Sequence, residues 1–259
     1  MKQSVFLTIV IVVTLALAVG IYMFVLGDPS NFKDGEGRQN PQNLLGTIYT
    51  GGIIVPILIM LTLMNLTLIF ERTFSLRKAN GKSSITSFLK TLQKHLLAGN
   101  IDDAIKACDA QRGSAANIIR TGLTRYKEIA GDGKLDAEKK MAETKRAIEE
   151  ATSLETPLLE RNLIALSTIA SVATMFGLLG TVIGMIRSFR ALAAQGGAPD
   201  AIQLSIGISE ALINTALGLL AAILGIVAYN FFVTKVDNFT YMIDEASYNA
   251  IEILNTKTN

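Results

Sequence analysis

The chain reads as an all-α integral membrane protein, with three core transmembrane helices, an N-terminal apolar span, and long helices extending into a cytoplasmic helical domain. Three observations predict this. Half of the 259 residues are hydrophobic and only 18% are charged, with a mean hydropathy of +0.40, the balance of a membrane protein rather than a soluble domain. Four apolar stretches reach the roughly 20 residues a helix needs to cross hydrocarbon: Val5–Leu26, Ile48–Phe70, Leu163–Phe189 and Ser205–Phe232. Of 24 Lys and Arg residues, 17 lie in Glu71–Arg161, which assigns that polar stretch to the cytoplasm because basic loops stay inside.

The elements follow in order. Residues 1–47 form a membrane anchor, or a signal-like segment, and a periplasmic linker. Lys2, the apolar run Val5–Leu15 and Ala16-Leu-Ala18 resemble a cleavable signal, but apolar residues continue to Leu26, which favours an uncleaved anchor. Residues 48–70 are the next span, and Arg72, Arg77 and Lys78 follow it directly. Residues 71–161 carry helical periodicity with turn signals at Gly99-Asn100 and Gly131-Asp-Gly133. Leu135–Glu160 is rich in Ala, Glu, Lys and Leu, which predicts a long helix running straight into the third span. That span covers 162–190, a short periplasmic loop covers 191–204 around Gly196-Gly-Ala-Pro-Asp200, the fourth span covers 205–233, and a cytoplasmic C-terminal helix covers 234–259. Arg187 and Arg190 sit on the wrong side for the positive-inside rule, at a span end from which they can snorkel to the interface.

Composition also excludes functions. A net charge of +2 with no basic patch interleaved with aromatics does not suit nucleic acid. One cysteine, Cys108, permits no internal disulfide, and with a single histidine, His95, it leaves no zinc site and no Cys/His pair without outside ligands. The polar stretch shows no phosphate loop and no Ser/His/Asp layout, so no cofactor and no enzyme activity are expected, and its alternating charges read as solvated helix faces.

Glu210 stands out instead. It is the one acidic residue inside the long apolar stretches, and an ionisable group in hydrocarbon costs several kcal/mol unless it faces protein or a wet cavity. In the third span Ser167, Ser171, Thr174, Thr181 and Ser188 share one face at about 100° per residue; in the fourth, Glu210, Asn214, Gly218, Ala221 and Gly225 share another. Hydroxyls and glycines also serve plain helix packing. Glu210 and Asn214, one turn apart, favour a lined pathway, in which the carboxyl either binds and releases a proton or stays charged beside a partner. A single acidic group per chain is few for a proton relay, which points to a second kind of subunit.

Two motifs carry a resemblance. Gly177-Leu-Leu-Gly-Thr-Val-Ile-Gly-Met185, followed by Gly207-Ile-Ser-Glu-Ala-Leu-Ile-Asn-Thr-Ala-Leu-Gly-Leu219, is similar to the signature of the ExbB/TolQ branch of the MotA/TolQ/ExbB proton-channel family. The likeness spans about residues 48–235. It implies a homo-oligomer, a ring of five chains in the bacterial inner membrane, around two copies of a single-span partner resembling ExbD or TolR whose membrane aspartate carries the proton. It also implies a TonB-like protein or a Tol-Pal system as the load. By motif position Thr181 and Thr215 match the family's pore threonines and Glu210 its glutamate, with Asn214, Thr174 and Ser171 beside the path and Gly177, Gly180, Gly184, Gly207 and Gly218 as close-packing glycines. One charge crossing 100 mV supplies about 2.3 kcal/mol, so several protons per working cycle are implied. Two features depart from the pattern: Ala173-Thr174 replaces an Ala-Pro step that would kink the helix, and the first span is additional.

Overall fold

The computed structural model describes residues 2–38, 40–131, 136–193 and 201–258. Among them every named element is a helix, and four helices are long and apolar enough to cross a membrane. It divides into two compact units, each built from two separate chain segments: residues 1–70 with 163–230, and residues 71–162 with 231–259.

The apolar unit begins with α1 (Lys2–Gly20), which continues as one wider π-helical turn over Ile21–Leu26. Its exit is closed by polar side chains. Asn31 donates from Nδ2 to the Val25 and Leu26 carbonyls at 2.8 and 3.1 Å, satisfying carbonyls that a helix end leaves orphaned. Asn43 in turn donates to Asn31 Oδ1 and caps α2 (Leu44–Tyr49) by accepting from the Gly46 N–H. The second span does not start at Ile48. A turn over residues 50–53 interrupts it, with Gly52 at φ +74°, a conformation that glycine adopts without steric cost, and α3 then runs from Ile54 to Asn80. Pro56 sits in its first turn, where a missing N–H costs nothing. α8 (Leu163–Ala193) and α9 (Ala201–Thr258) supply the remaining spans.

The expected junction into the third span is different. The polar helix α7 (Ala137–Glu160) stops, and Asn162 adopts φ +62°. Asparagine tolerates this left-handed conformation better than most side chains, and its Nδ2 donates to Glu71 Oε2 at 3.3 Å, so α7 and α8 are two helices. By contrast α9 is a single helix of 58 residues. Residues 226–258 contain neither Gly nor Pro, so nothing in that sequence ends it between the fourth span and the C-terminal segment. The tip of the 191–204 connection and the Asp132-Gly133 part of the turn signal lie outside the described residues.

The polar unit packs α4 (Ile85–Leu97), α5 (Ile101–Gln111), α6 (Ser114–Ala130) and α7 with the end of α9. Ile85, Phe88, Leu92 and Leu96 recur at helical spacing on the buried face of α4. Phe88, Leu92 and Leu96 join Cys108, Ile119, Leu123, Met141, Ala246, Ala250 and Leu254 in one core. Arg72 is fully buried, held by both oxygens of Glu71 and the Leu159 carbonyl, since a buried guanidinium needs its charge paired.

Candidate functional site: the seam between α8 and α9

The site is built on small residues. Facing positions keep one antiparallel register along the seam: Gly177 meets Gly218, Gly180 meets Asn214, Gly184 meets Ala211, Gly207 meets Ser188, and Gly225 meets Ala170. A Cβ at Gly180 would stand 2.3 Å from the Asn214 Cβ, and one at Gly218 would stand 2.8 Å from the Ala173 carbonyl oxygen and the Gly177 Cα. Backbones this close exclude side chains, the packing that small residues permit in membranes.

The wheel of each helix, at about 100° per residue, divides the polar residues between two flanks of this seam. Thr181 and Thr215 fall at the same height on one flank, with Thr174 a further two turns along it and Ser171 turned outward. All four hydroxyls donate to their own helix, to the carbonyls of Leu178, Ala211, Ala170 and Ser167 respectively. Ser171 is exposed and the three threonines are partly exposed, so the described chain does not enclose this flank. α8 passes Thr174 uninterrupted, because threonine keeps the backbone donor that proline lacks.

Arg187 and Glu210 fall on the opposite flank, the one that α3 and its entry turn cover. There Asn65 donates from Nδ2 to the Ala221 carbonyl at 2.8 Å and Asn214 to the Gly51 carbonyl at 2.9 Å. Glu210 is 3% exposed, and both its oxygens accept from Nη1 of Arg187 at 2.7 Å, the arginine side chain being 55% exposed. Arg187 is therefore a counter-ion rather than a side chain snorkelling away from the span. Gly52 completes the contact, since a Cβ there would lie 2.7 Å from Glu210 Oε1. The Oδ1 atoms of Asn65 and Asn214 are buried with no hydrogen-bond partner among the described residues, an unusual condition at membrane depth.

The structure thus brings Glu210 and Asn214 together under α3 and sets Thr181 and Thr215 on the far side of the same helix pair. Sequence reasoning missed Asn65, Gly52 and the ion-pairing role of Arg187. Asn65 carried a signal, a lone amide in an apolar stretch. Among the described residues no group of three or more His, Cys, Asp or Glu side chains could hold a metal ion.

Known proteins resemble this chain in sequence. The sequence profile of the MotA/TolQ/ExbB proton channel family matches residues 110–245. The Tol-Pal system protein TolQ of Pseudomonas aeruginosa is 31% identical over 72% of this chain and 81% of its own length. An ExbB-like protein of Synechocystis is 31% identical over 76% of this chain and 72% of its own. The biopolymer transport protein ExbB of Xanthomonas campestris pv. campestris is 31% identical over 56% and 62%. Such a profile match over half of the chain, with relatives of this identity and coverage, establishes that the chain belongs to the MotA/TolQ/ExbB proton channel family.

Proposed function

We propose that this chain is the channel and stator subunit of an inner-membrane complex that couples the proton motive force to work at the outer membrane, as an ExbB-like component of TonB-dependent transport. It would act as a homo-oligomer, a ring of five copies, around an ExbD- or TolR-like single-span protein whose membrane aspartate carries the proton. The observation that carries this reading is the Thr181–Thr215 flank. Each hydroxyl is satisfied by its own helix, and two of them at one height, on a flank that the described residues leave partly open, form a polar surface for a further helix to face. Thr181 and Thr215 would line the path facing that helix. Glu210, on the covered flank and paired with Arg187, would hold the α3, α8 and α9 ends in register rather than pass the proton on.

The similarity to TolQ, over 81% of that protein's length, favours a second reading within the same mechanism, a Tol-Pal-type envelope motor. Genomic neighbours separate the two: a TonB-like gene supports the first and Tol-Pal genes the second.

Proton flux into proteoliposomes holding this chain and its single-span partner tests the shared mechanism. Flux should require the partner and fall at least about tenfold in Thr181→Val, a loss equal to about 1.4 kcal/mol of barrier. Equal flux in Thr181→Val would remove the threonine path, and no flux from an intact complex whose Thr181→Val variant still supports growth would leave a non-conducting scaffold.

A further inference from the structure

The flank that carries Glu210 opens into a cavity of about 330 Å³, lined by Tyr22, Arg38, Tyr49, Arg187, Gln203 and Glu210 among others. We propose that this cavity binds the phosphate of a phospholipid headgroup. The inference rests on the membrane-spanning helices and not on whether the complex conducts protons.

Charge is the first argument. Two guanidiniums and one carboxylate line the cavity, an excess of one positive charge within the lining that the Asp28 carboxylate, within electrostatic reach of Arg38, partly offsets. Among the described residues, Arg187 spends only Nη1 on Glu210, so its Nη2 and Nε edge remains for a second anion. A guanidinium fork matches two phosphate oxygens and can serve a carboxylate and a phosphate at once. Arg38 lies over the Tyr49 ring, 5.8 Å from its centroid, and donates weakly to the Tyr49 hydroxyl at 3.4 Å, which leaves most of its donors for a ligand.

Depth is the second argument. The cavity is lined at Tyr22 near the end of the first span, at Thr50 and Gly52 just before α3, and from Gln203 to Glu210 at the start of α9. The eight residues from Gln203 to Glu210 span about 10 Å, so the cavity runs from the ends of three spans to the first apolar turns, the depth of a headgroup region. Tyr22 and Tyr49 stack there with ring centroids 4.6 Å apart, as interfacial aromatics do. Within a few positions of the lining residues Tyr22, Tyr49 and Gly52 along the chain, Phe24, Leu44 and Ile53 are 72 to 79% exposed, apolar surface suited to acyl chains. A free anion would gain nothing from that surface, whereas a phospholipid would use both.

The test is native mass spectrometry of the full-length protein in detergent, with dioctanoyl phosphatidylglycerol, dioctanoylglycerol and inorganic phosphate as separate probes. Wild type should retain the phospholipid and neither of the others. Arg38→Gln should weaken retention about tenfold, the scale of one charge-assisted bond, with partial rescue in Arg38→Lys and no change in Arg190→Gln, a basic control near the end of α8. Unchanged retention in Arg38→Gln would overturn the site. Dioctanoylglycerol bound equally well would show that no phosphate is read, and phosphate bound equally tightly would show a free-anion site instead. These last two comparisons use wild type alone, so they decide the matter even if a variant misfolds.

Discussion

At the scale of single residues, the seam is governed by what cannot be added to it. Gly180→Ala should destabilise the membrane unit by about 1 to 3 kcal/mol, the usual cost of overpacking, because its new methyl would meet the Asn214 side chain. Gly20→Ala has nothing within 4 Å of the added carbon and should be neutral or slightly stabilising, as alanine is in a helix. Thermal unfolding of both variants in detergent checks this, and equal melting temperatures would contradict the close-packed seam. The ion pair allows a sharper test. Arg187→Gln leaves Glu210 buried without its cation, which should cost about 1 to 3 kcal/mol, less than a wholly buried pair because Arg187 is half exposed. Adding Glu210→Gln should restore most of the loss, and a double variant no more stable than the single one would mean that the pair does not hold the fold.

Sequence reading found Glu210 because a carboxylate in an apolar run is an outlier on composition alone. It did not find the counter-ion, because Arg187 lies 23 positions away and meets Glu210 only through the register of two helices. Tyr22 and Tyr49 were invisible for the same reason: their stacking depends on where the first span ends and α2 begins.

At the scale of elements, periodicity identified the helices, and single residues decided where they stop. A sequence rich in Ala, Glu, Lys and Leu up to Glu160 predicts continuation, yet the chain turns at Asn162 because that residue takes a left-handed conformation. Asn162→Gly should be nearly neutral in backbone terms while losing the side-chain bond to Glu71. Asn162→Ala should cost about 1 kcal/mol more, the penalty of a Cβ in that conformation. Urea unfolding of the two variants measures the gap, and an alanine variant as stable as the glycine one would show that the turn is not under backbone constraint. The turn between α3 and α4 uses a side chain instead. Gln111, buried at the end of α5, donates to the Asn80 and Ser83 carbonyls at 2.9 and 2.8 Å and accepts from the Ser83 N–H. An isolated glutamine in an amphipathic helix gives no hint of this, since its partners Asn80 and Ser83 lie at the end of α3 and in the turn after it.

At the scale of the whole molecule, neither unit is a continuous piece of chain. The polar unit's core includes Ala246, Ala250 and Leu254 from the end of α9 beside Cys108 of α5, so a later segment completes a fold begun much earlier in the chain. Cys108 reports on that completion. Burial, reinforced by the neighbouring Asp109, pushes its thiol from the ordinary 9.0 up to about 12. The folded thiol therefore keeps its proton where the unfolded one loses it. Its contribution is fully present below pH 9, and stability falls as pH rises from about 9 to about 12. At pH 8 the native thiol is both protonated and shielded, and maleimide should modify it only after denaturation, because the thiolate is the reactive form. A chain ending at Asn238 lacks the three α9 residues of that core and should expose the thiol without denaturant, with labelling accelerated at least about tenfold, the rate change that about 1.4 kcal/mol of lost protection allows. If the shortened chain protects Cys108 as well as the full one, helices α4 to α7 close their core alone. The end of α9 would then be a covering on that unit rather than part of its fold.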